Sequence, residues 1–262
     1  MSFFRRFPKT TYDLEGRGVL TDVTDIFRYV RINDLKYIDS LQIYTYYDIQ
    51  DGDRPDVVSA KLYSNRPEFY WTFFLLNDHL REPQIGWPMS YLELQKFISE
   101  KYPGTVFLTN SVLADGFAIG DKMYQVGNPS LPYGTLIDKN AQLGQLVIDV
   151  ESGVFVTGQN IAKRTNTTEP PTFGTSVVNP YEIIEDASQA VHHYETADGR
   201  ISYNANFIVE ETPDPEALDT NLTPVTYREY ETNLNDSRSR IRVIQPEYIF
   251  EFTRDFTRVL NA

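Results

Sequence analysis

Residues 46–88 read YYDIQDGDRPDVVSAKLYSNRPEFYWTFFLLNDHLREPQIGWP, and the order of signals in this stretch decides the fold class. A β-prone run rich in Tyr and Ile, residues 41–49, leads into it. Asp51-Gly52 is a turn dipeptide of the kind that stops a strand. Asp53 is then placed to cap a helix, Pro55 suits its first turn, and Asp56 gives a short relative of the capping box. Acidic side chains there also suit the positive end of the helix dipole. The helix has room for about two turns before Ser64-Asn65 stops it. Arg66-Pro67-Glu68 starts a second helix, PEFYWTFFLLN, which is apolar nearly all round and is predicted to be buried on several sides. The expected order is strand, acidic turn, short helix, sharp break, and a second helix ending at Asn77.

Working outward, Ser90 and Glu93 form an S-x-x-E capping box. Tyr91, Leu94, Phe97, Ile98 and Tyr102 follow on one helical face until Pro103-Gly104, so this helix is expected to pack on the preceding module. From Thr105 to Arg164 short β-prone runs alternate with glycines, the texture of a small barrel or sandwich. Residues 165–179 read as a polar linker. HHYETADGRISYNANFIV, residues 192–209, is predicted to be a hairpin with Asp198-Gly199 as its two-residue turn, Tyr194 opposite Tyr203 and Thr196 opposite Ile201. Residues 210–225, acidic and proline-bearing, read as a second linker.

At the C-terminal end Thr226 and Glu229 make another capping box, opening a helix to about Asp236. Arg238, Arg240 and Arg242 alternate with Ser239, Ile241 and Val243, which puts the charges on one side of a strand. Pro246 suits the first turn of a last helix whose Ile249, Phe252, Phe256 and Val259 form an apolar stripe. At the other end residues 1–20 read as an extended arm anchored by Phe3, Phe4, Phe7 and Tyr12. Val23, Ile26, Phe27 and Val30 then recur at helical spacing. The fold class is α+β, in four parts: arm and short helix 1–40, helical module 41–104, β-rich region 105–225, and C-terminal helical segment 226–262.

Composition narrows the function. The 262 residues carry 34 Tyr and Phe, a heavy load of the rigid side chains that fill both β-rich cores and interfaces. The formal net charge of -13 argues against a nucleic-acid partner, which calls for clustered Lys and Arg. Residues 1–40 hold 7 basic and 6 acidic side chains and residues 226–262 hold 6 of each, so the acidity is internal. The two neutral ends are therefore expected to bind neighbours, through Phe3, Phe4, Phe7, Arg238, Arg240, Arg242, Ile249, Phe252, Phe256 and Val259. The competing expectation is that the last helix packs back on its own chain. There is no cysteine, which fits assembly in a reducing cytoplasm. Residues 1–10 lack the apolar core of a signal peptide, and no run approaches the roughly 18 apolar residues of a membrane span, so a soluble protein without membrane association is expected.

No catalytic constellation emerges. HExxH, GxSxG, a P-loop and a GxGxxG after a strand are all missing. His192 and His193, adjacent in a predicted strand, are expected to point to opposite faces and so not to share a metal. His79 is placed to cap the second helix. Asp48, Asp51, Asp53 and Asp56 cluster without the EF-hand pattern and read as caps and turn formers. No enzyme activity, cofactor or metal is expected.

Strand, acidic turn, helix, break and helix is the order of a LysM-type βααβ module, and the resemblance reaches further. DGDRPDVVSAKLYSNRPEFYWTFFLLND followed by GWPMS resembles the baseplate wedge protein with a LysM-like domain of T-even-type contractile-tailed bacteriophages. TYREYETNLNDSRSRIRVIQPEYIFEFTRDFTRVL is similar to the ending of its relatives. The resemblance implies a virion structural subunit, assembled in the host cytoplasm, that joins adjacent wedges around the central hub. Its implied partners are other wedge subunits, hub proteins and a sheath-initiator-like subunit. It also implies that Asp53, Pro55, Tyr63, Tyr70, Trp71, Leu75, Asn77, Trp87 and Pro88 form the core and loops of the LysM-like module. Residues 105–225 have no simple match in shorter members. LysM modules bind N-acetylglucosamine glycans, so the alternative is a glycan-binding protein of the phage tail or cell wall. Its loops would be 51–55 and 80–88, with Trp87 as a sugar platform. The competing reading makes Trp87-Pro88 a buried loop closing the module, and glycan binding is not expected.

Overall fold

The computed structural model describes residues 7–13, 16–25, 43–81, 86–109, 116–127, 130–165, 172–196, 199, 201–202 and 222–261. Contacts group the chain into two compact units, Met1–Leu94 with Leu234–Ala262, and Gln95–Asn233. The first unit thus joins the N-terminal stretch to the end of the chain, a grouping different from the four consecutive parts expected from sequence. Strands β1 (Lys9–Tyr12) and β2 (Thr21–Thr24) form a two-stranded antiparallel ribbon, Lys9 opposite Thr24. The helical spacing read from Val23 fails here, because two threonines and a valine in four residues favour strand. The rest of that expected helix, from Ile26, lies outside the described residues, as do Phe3 and Phe4.

Strand β3 (Tyr44–Asp48) runs into the Asp51-Gly52 turn, where Gly52 takes φ +76°. Helix α1 (Pro55–Leu62) begins with Pro55 at its first position, and the cap residue is Arg54, extended and without a side-chain bond. The expected Asp53 cap is therefore not made; the proline fixes the helix start one residue too late for it. Ser64 and Asn65 stop the helix at positive φ, 53° and 63°, as their types allow. The single second helix read over 67–77 is divided into a 3₁₀ turn, Pro67–Phe69, and α2 (Trp71–Leu76). Bulky aromatic residues lose side-chain freedom in a helix, and Thr72 bonds back to the Phe69 carbonyl at 2.8 Å. Helix α3 (Tyr91–Lys101) starts from the Ser90–Glu93 box, with Ser90 N–H donating to Glu93 at 3.0 Å. Tyr91 faces solvent rather than joining the apolar stripe.

The second unit is built on seven antiparallel strands. They are β4 (Thr105–Leu108), β5 (Lys122–Gln125), β6 (Tyr133–Asn140), β7 (Gln145–Ser152), β8 (Ile161–Arg164), β9 (Phe173–Val178) and β10 (Glu182–Ile184), ordered β10-β4-β7-β6-β5-β8-β9. The two edge strands, β9 and β10, are joined by residues 179–181 alone. Four Cα steps reach at most ~14 Å, whereas a flat sheet of this size would separate its edges by ~29 Å. The sheet therefore curls on itself, around Phe107, Met123, Leu136, Leu146, Ile148 and Ile161. Gly134 sits at a register shift between β6 and β7, where any Cβ would collide with the Asp149 carbonyl oxygen.

A separate three-stranded sheet places β11 (Val191–Glu195) between β12 (Ile201–Ser202) and β13 (Thr223–Thr226). The hairpin exists in a different register from the one expected: Tyr194 lies opposite Ser202 and Glu195 opposite Ile201. The Gly199 N–H is bonded to the Thr196 carbonyl, and Asp198 lies outside the described residues. Helix α4 (Tyr227–Ser237) opens on the Thr226–Glu229 box, Glu229 N–H meeting Thr226 Oγ1 at 3.1 Å.

The chain then returns to its first unit. Strand β14 (Arg240–Ile244) pairs antiparallel with β3, Arg240 opposite Asp48 and Ile244 opposite Tyr44. Its alternation is the one expected, Arg240 and Arg242 exposed and Ile241 and Val243 buried. Helix α5 (Ile249–Leu260) lays Ile249, Phe252, Phe256 and Leu260 into a core with Val58, Tyr63, Phe73 and Ile241. Trp71 lies 4.5 Å from the Phe256 ring and 6.4 Å from that of Phe252. Ile249, Phe252 and Phe256 are 1%, 2% and 4% exposed, and Val259 packs half-buried on the same core. The stripe offered to a partner is thus filled by the chain itself; α2 and the β3–β14 pair supply the apolar surface it needs. Phe7 rests on this core as well.

Candidate functional site

The acidic turn after β3 holds the first unit together. Asp53 accepts the Tyr47 hydroxyl at 2.9 Å, the Lys61 ammonium at 2.6 Å and the Gln50 N–H at 3.3 Å. Burial pushes its carboxyl up, but the Lys61, Tyr47 and Gln50 donors outweigh that and hold it below the usual range. Burial, with Asp53 beside it, pushes the Tyr47 hydroxyl up to about 12. Asp51 accepts the Tyr91 N–H at 2.7 Å, the first amide of α3, and Asp56 pairs with Arg54 at 3.0 Å. Three of the four clustered aspartates are thus committed to donors of their own chain. Among the described residues no three His, Cys, Asp or Glu side chains come together as metal ligands would.

Trp87 spends its polar edge on the same turn. Its Nε1–H donates to the Asp53 carbonyl at 2.6 Å, and its ring lies 6.0 Å from Phe73 and 5.9 Å from Phe74. The Trp87-Pro88 segment is half-buried, and its indole packs tilted against the two Phe rings. Leu75 is half-buried on the core, while Tyr70 is 39% exposed beside Phe74.

Two asparagine amides and one tyrosine act as backbone substitutes. Asn77 caps α2, and its side chain both donates to the Arg242 carbonyl at 2.9 Å and accepts the Arg242 N–H at 2.8 Å. Tyr63 donates its hydroxyl to the Ile244 carbonyl at 3.0 Å. Gln245 N–H bonds to the Ile43 carbonyl and Ile49 N–H to that of Ser239, so the even-numbered residues of β14 face away from β3. Asn77 and Tyr63 therefore cover the outer edge of β14. Asn235 repeats the device on Met89, accepting its N–H at 2.8 Å and donating to its carbonyl at 3.1 Å. Sequence reading missed Asn235, since a polar residue late in a helix carries no signal of a partner 146 positions away. His79 does not cap α2: it sits in a following 3₁₀ turn, and Arg81 takes the Phe74 and Leu75 carbonyls at 3.0 and 2.6 Å.

The arginines divide. Arg238 is buried, 3% exposed, whereas Arg240 and Arg242 project from the outer face of β14. Arg240 lies over the Tyr46 ring, 4.8 Å from its centroid. A cleft of about 490 Å³ on this face is lined by Tyr46, Asn77, Asp78, His79, Arg240 and Arg242.

In the second unit the two adjacent histidines do not diverge. A register shift between Val191 and His193 breaks the strand alternation, and their Nδ1 atoms lie 2.7 Å apart. His192 stacks on Tyr230 at 4.1 Å, and burial, then the neighbouring His193, pulls its imidazole below the usual value. Nearby in sequence, buried Glu231 accepts Lys101 at 2.7 Å and the Tyr102 hydroxyl at 2.6 Å.

No described helix is long and apolar enough to cross a membrane. No curated protein matches the chain. Residues 2–106 match the family model described as base plate wedge protein 53. The matched residues include β1 to β3, the acidic turn, α1, α2 and the Trp87 segment, so this part of the chain is similar to a phage baseplate wedge protein.

Proposed function

We propose that the chain is a non-enzymatic subunit that joins adjacent wedges of a contractile phage baseplate around the hub, binding wedge, hub and sheath-initiator-like proteins. The match over residues 2–106 carries the reading. The first unit adds support: β3, α1, α2 and β14, taken in chain order, are a βααβ set with an antiparallel strand pair, the arrangement expected of a LysM-like module. In this reading the module is discontinuous, with the second unit inserted between its second helix and its second strand. The polar groups of the acidic turn serve internal bonds, which favours a scaffold over a glycan receptor.

Reconstitution tests it. Purified wedge subcomplexes of the same phage should associate side by side when the full chain is added and stay separate without it. Unchanged wedge association in its absence would remove the joining role.

A further inference from the structure

The outer face of the β3–β14 pair has features the core does not explain. Arg240 and Arg242 stand two residues apart on one face of a strand, exposed, and neither has a carboxylate partner among the described residues. The acidic residue lining the same cleft, Asp78, is taken by Arg81 at 3.0 Å. Asp48 lies directly opposite Arg240 in the register, yet it makes no ion pair with it. Tyr46 supplies an aromatic floor under Arg240 and is itself 59% exposed.

The backbone beside this face is open too. Because Ile43 and Ile49 bond across to β14, the N–H and C=O of Tyr46 point to the other side of β3. Neither has a partner among the described residues, so β3 presents one open pair of backbone groups at Tyr46, between the Tyr44 and Asp48 carbonyls that accept the Gln245 and Gln50 side-chain amides, and a strand can add there. β14 does not, since Asn77 and Tyr63 cover its outer edge.

We propose that this face docks an extended, carboxylate-bearing segment of a neighbouring baseplate subunit. The segment pairs its backbone with Tyr46 on the β3 edge and sets alternate acidic side chains against Arg240 and Arg242. Guanidinium groups favour carboxylates through paired, charge-assisted bonds, and alternate side chains of a strand fall on one face, matching the two-residue spacing of the arginines. The inference rests on the baseplate reading for the source of the segment; the chemistry rests on the face alone.

The test uses the full chain, ¹⁵N-labelled, and two synthetic peptides, acetyl-TEVEVT-amide and its Gln counterpart acetyl-TQVQVT-amide. The acidic peptide should shift the Tyr46 amide and the Arg240 and Arg242 side-chain signals. The Gln peptide should bind at least about tenfold more weakly, as should the acidic peptide to R240Q/R242Q. Equal binding of the two peptides, shifts centred elsewhere, or no shifts at millimolar peptide overturns the proposal, and the peptide comparison needs no variant to fold. Self-association of the chain that R240Q/R242Q abolishes would assign the face to a second copy and overturn the proposed occupant. If wild-type chain joins wedges and R240Q/R242Q joins them equally well, the docking fails and the function stands. If wild-type chain joins none, the functional reading fails whatever the peptides do.

Discussion

Single side chains stand in for backbone throughout the first unit, and their removal has calculable consequences. Asn77 satisfies both backbone groups of Arg242, which lie on the covered edge of β14. An Asn77→Leu change leaves that N–H and C=O without a partner and should cost about 2–4 kcal/mol, more than a typical surface change. Urea unfolding followed by tryptophan emission measures it, because Trp71 and Trp87, the chain's two tryptophans, both lie in this unit. Asp53 adds a pH dependence. Its carboxyl is held below the usual range, so its contribution is fully present above the unfolded value of about 3.9 and is lost as pH falls through the lower folded value. Asp53→Asn should therefore be less stable than wild type at neutral pH, and the gap should close as pH drops below about 4. A gap that stays constant from pH 7 to pH 3 would show that the carboxylate charge is not what Lys61 and Tyr47 hold. Trp87 bears on the glycan alternative: calorimetric titration with tetrameric N-acetylglucosamine should give no binding heat. Micromolar binding abolished by Trp87→Ala would reverse the scaffold reading.

At the scale of elements, α5 decides whether the end of the chain is core or clamp. Its four buried apolar residues and the Trp71–Phe256 contact make it core. Phe256→Ala should cost about 3–5 kcal/mol, and a chain lacking residues 244–262 should lose its cooperative tryptophan transition altogether. A truncated chain that melts normally would return the stripe to a partner. How far these elements were legible follows from how local their signals are. The capping boxes at Ser90 and Thr226, the Ser64-Asn65 break and the arginine alternation in β14 are set by neighbours within a few residues, and they were readable. The destination of the α5 stripe was not, because an amphipathic face says that it is buried and not by what. Likewise His192 and His193 obey strand alternation only in an unbroken ladder, and the bulge that brings their nitrogens together depends on pairing with β13. The partner of β3 was hidden for the same reason: the strand that completes the pair begins 192 positions after β3 ends at Asp48.

At the scale of the whole molecule, that long return is the central fact. The second unit, Gln95–Asn233, interrupts the first, and it carries its own curled sheet and its own core. If it is an insertion in a self-sufficient module, the module should survive its removal. The ends left by the cut need not be far apart, since the Asn235 amide bonds both backbone groups of Met89, five residues before Leu94. A linker of about eight Gly and Ser residues, with a mean reach of about 16 Å, is ample to bridge Leu94 to Leu234. The shortened chain retains β3, α1, α2, β14 and α5, hence the whole cluster around Phe73, Ile241 and Phe256. It also keeps Asp53 with Lys61 and Trp87, and Asn77 with Arg242. The expected result is cooperative urea unfolding reported by Trp71 and Trp87. Its midpoint should fall when Asn77→Leu is added, as it does in the full chain. If the excised chain shows no cooperative transition, the first unit depends on the second to fold, and the discontinuous module is not an independent scaffold. If it folds but no longer joins wedge subcomplexes, the inserted unit carries contacts that the joining requires.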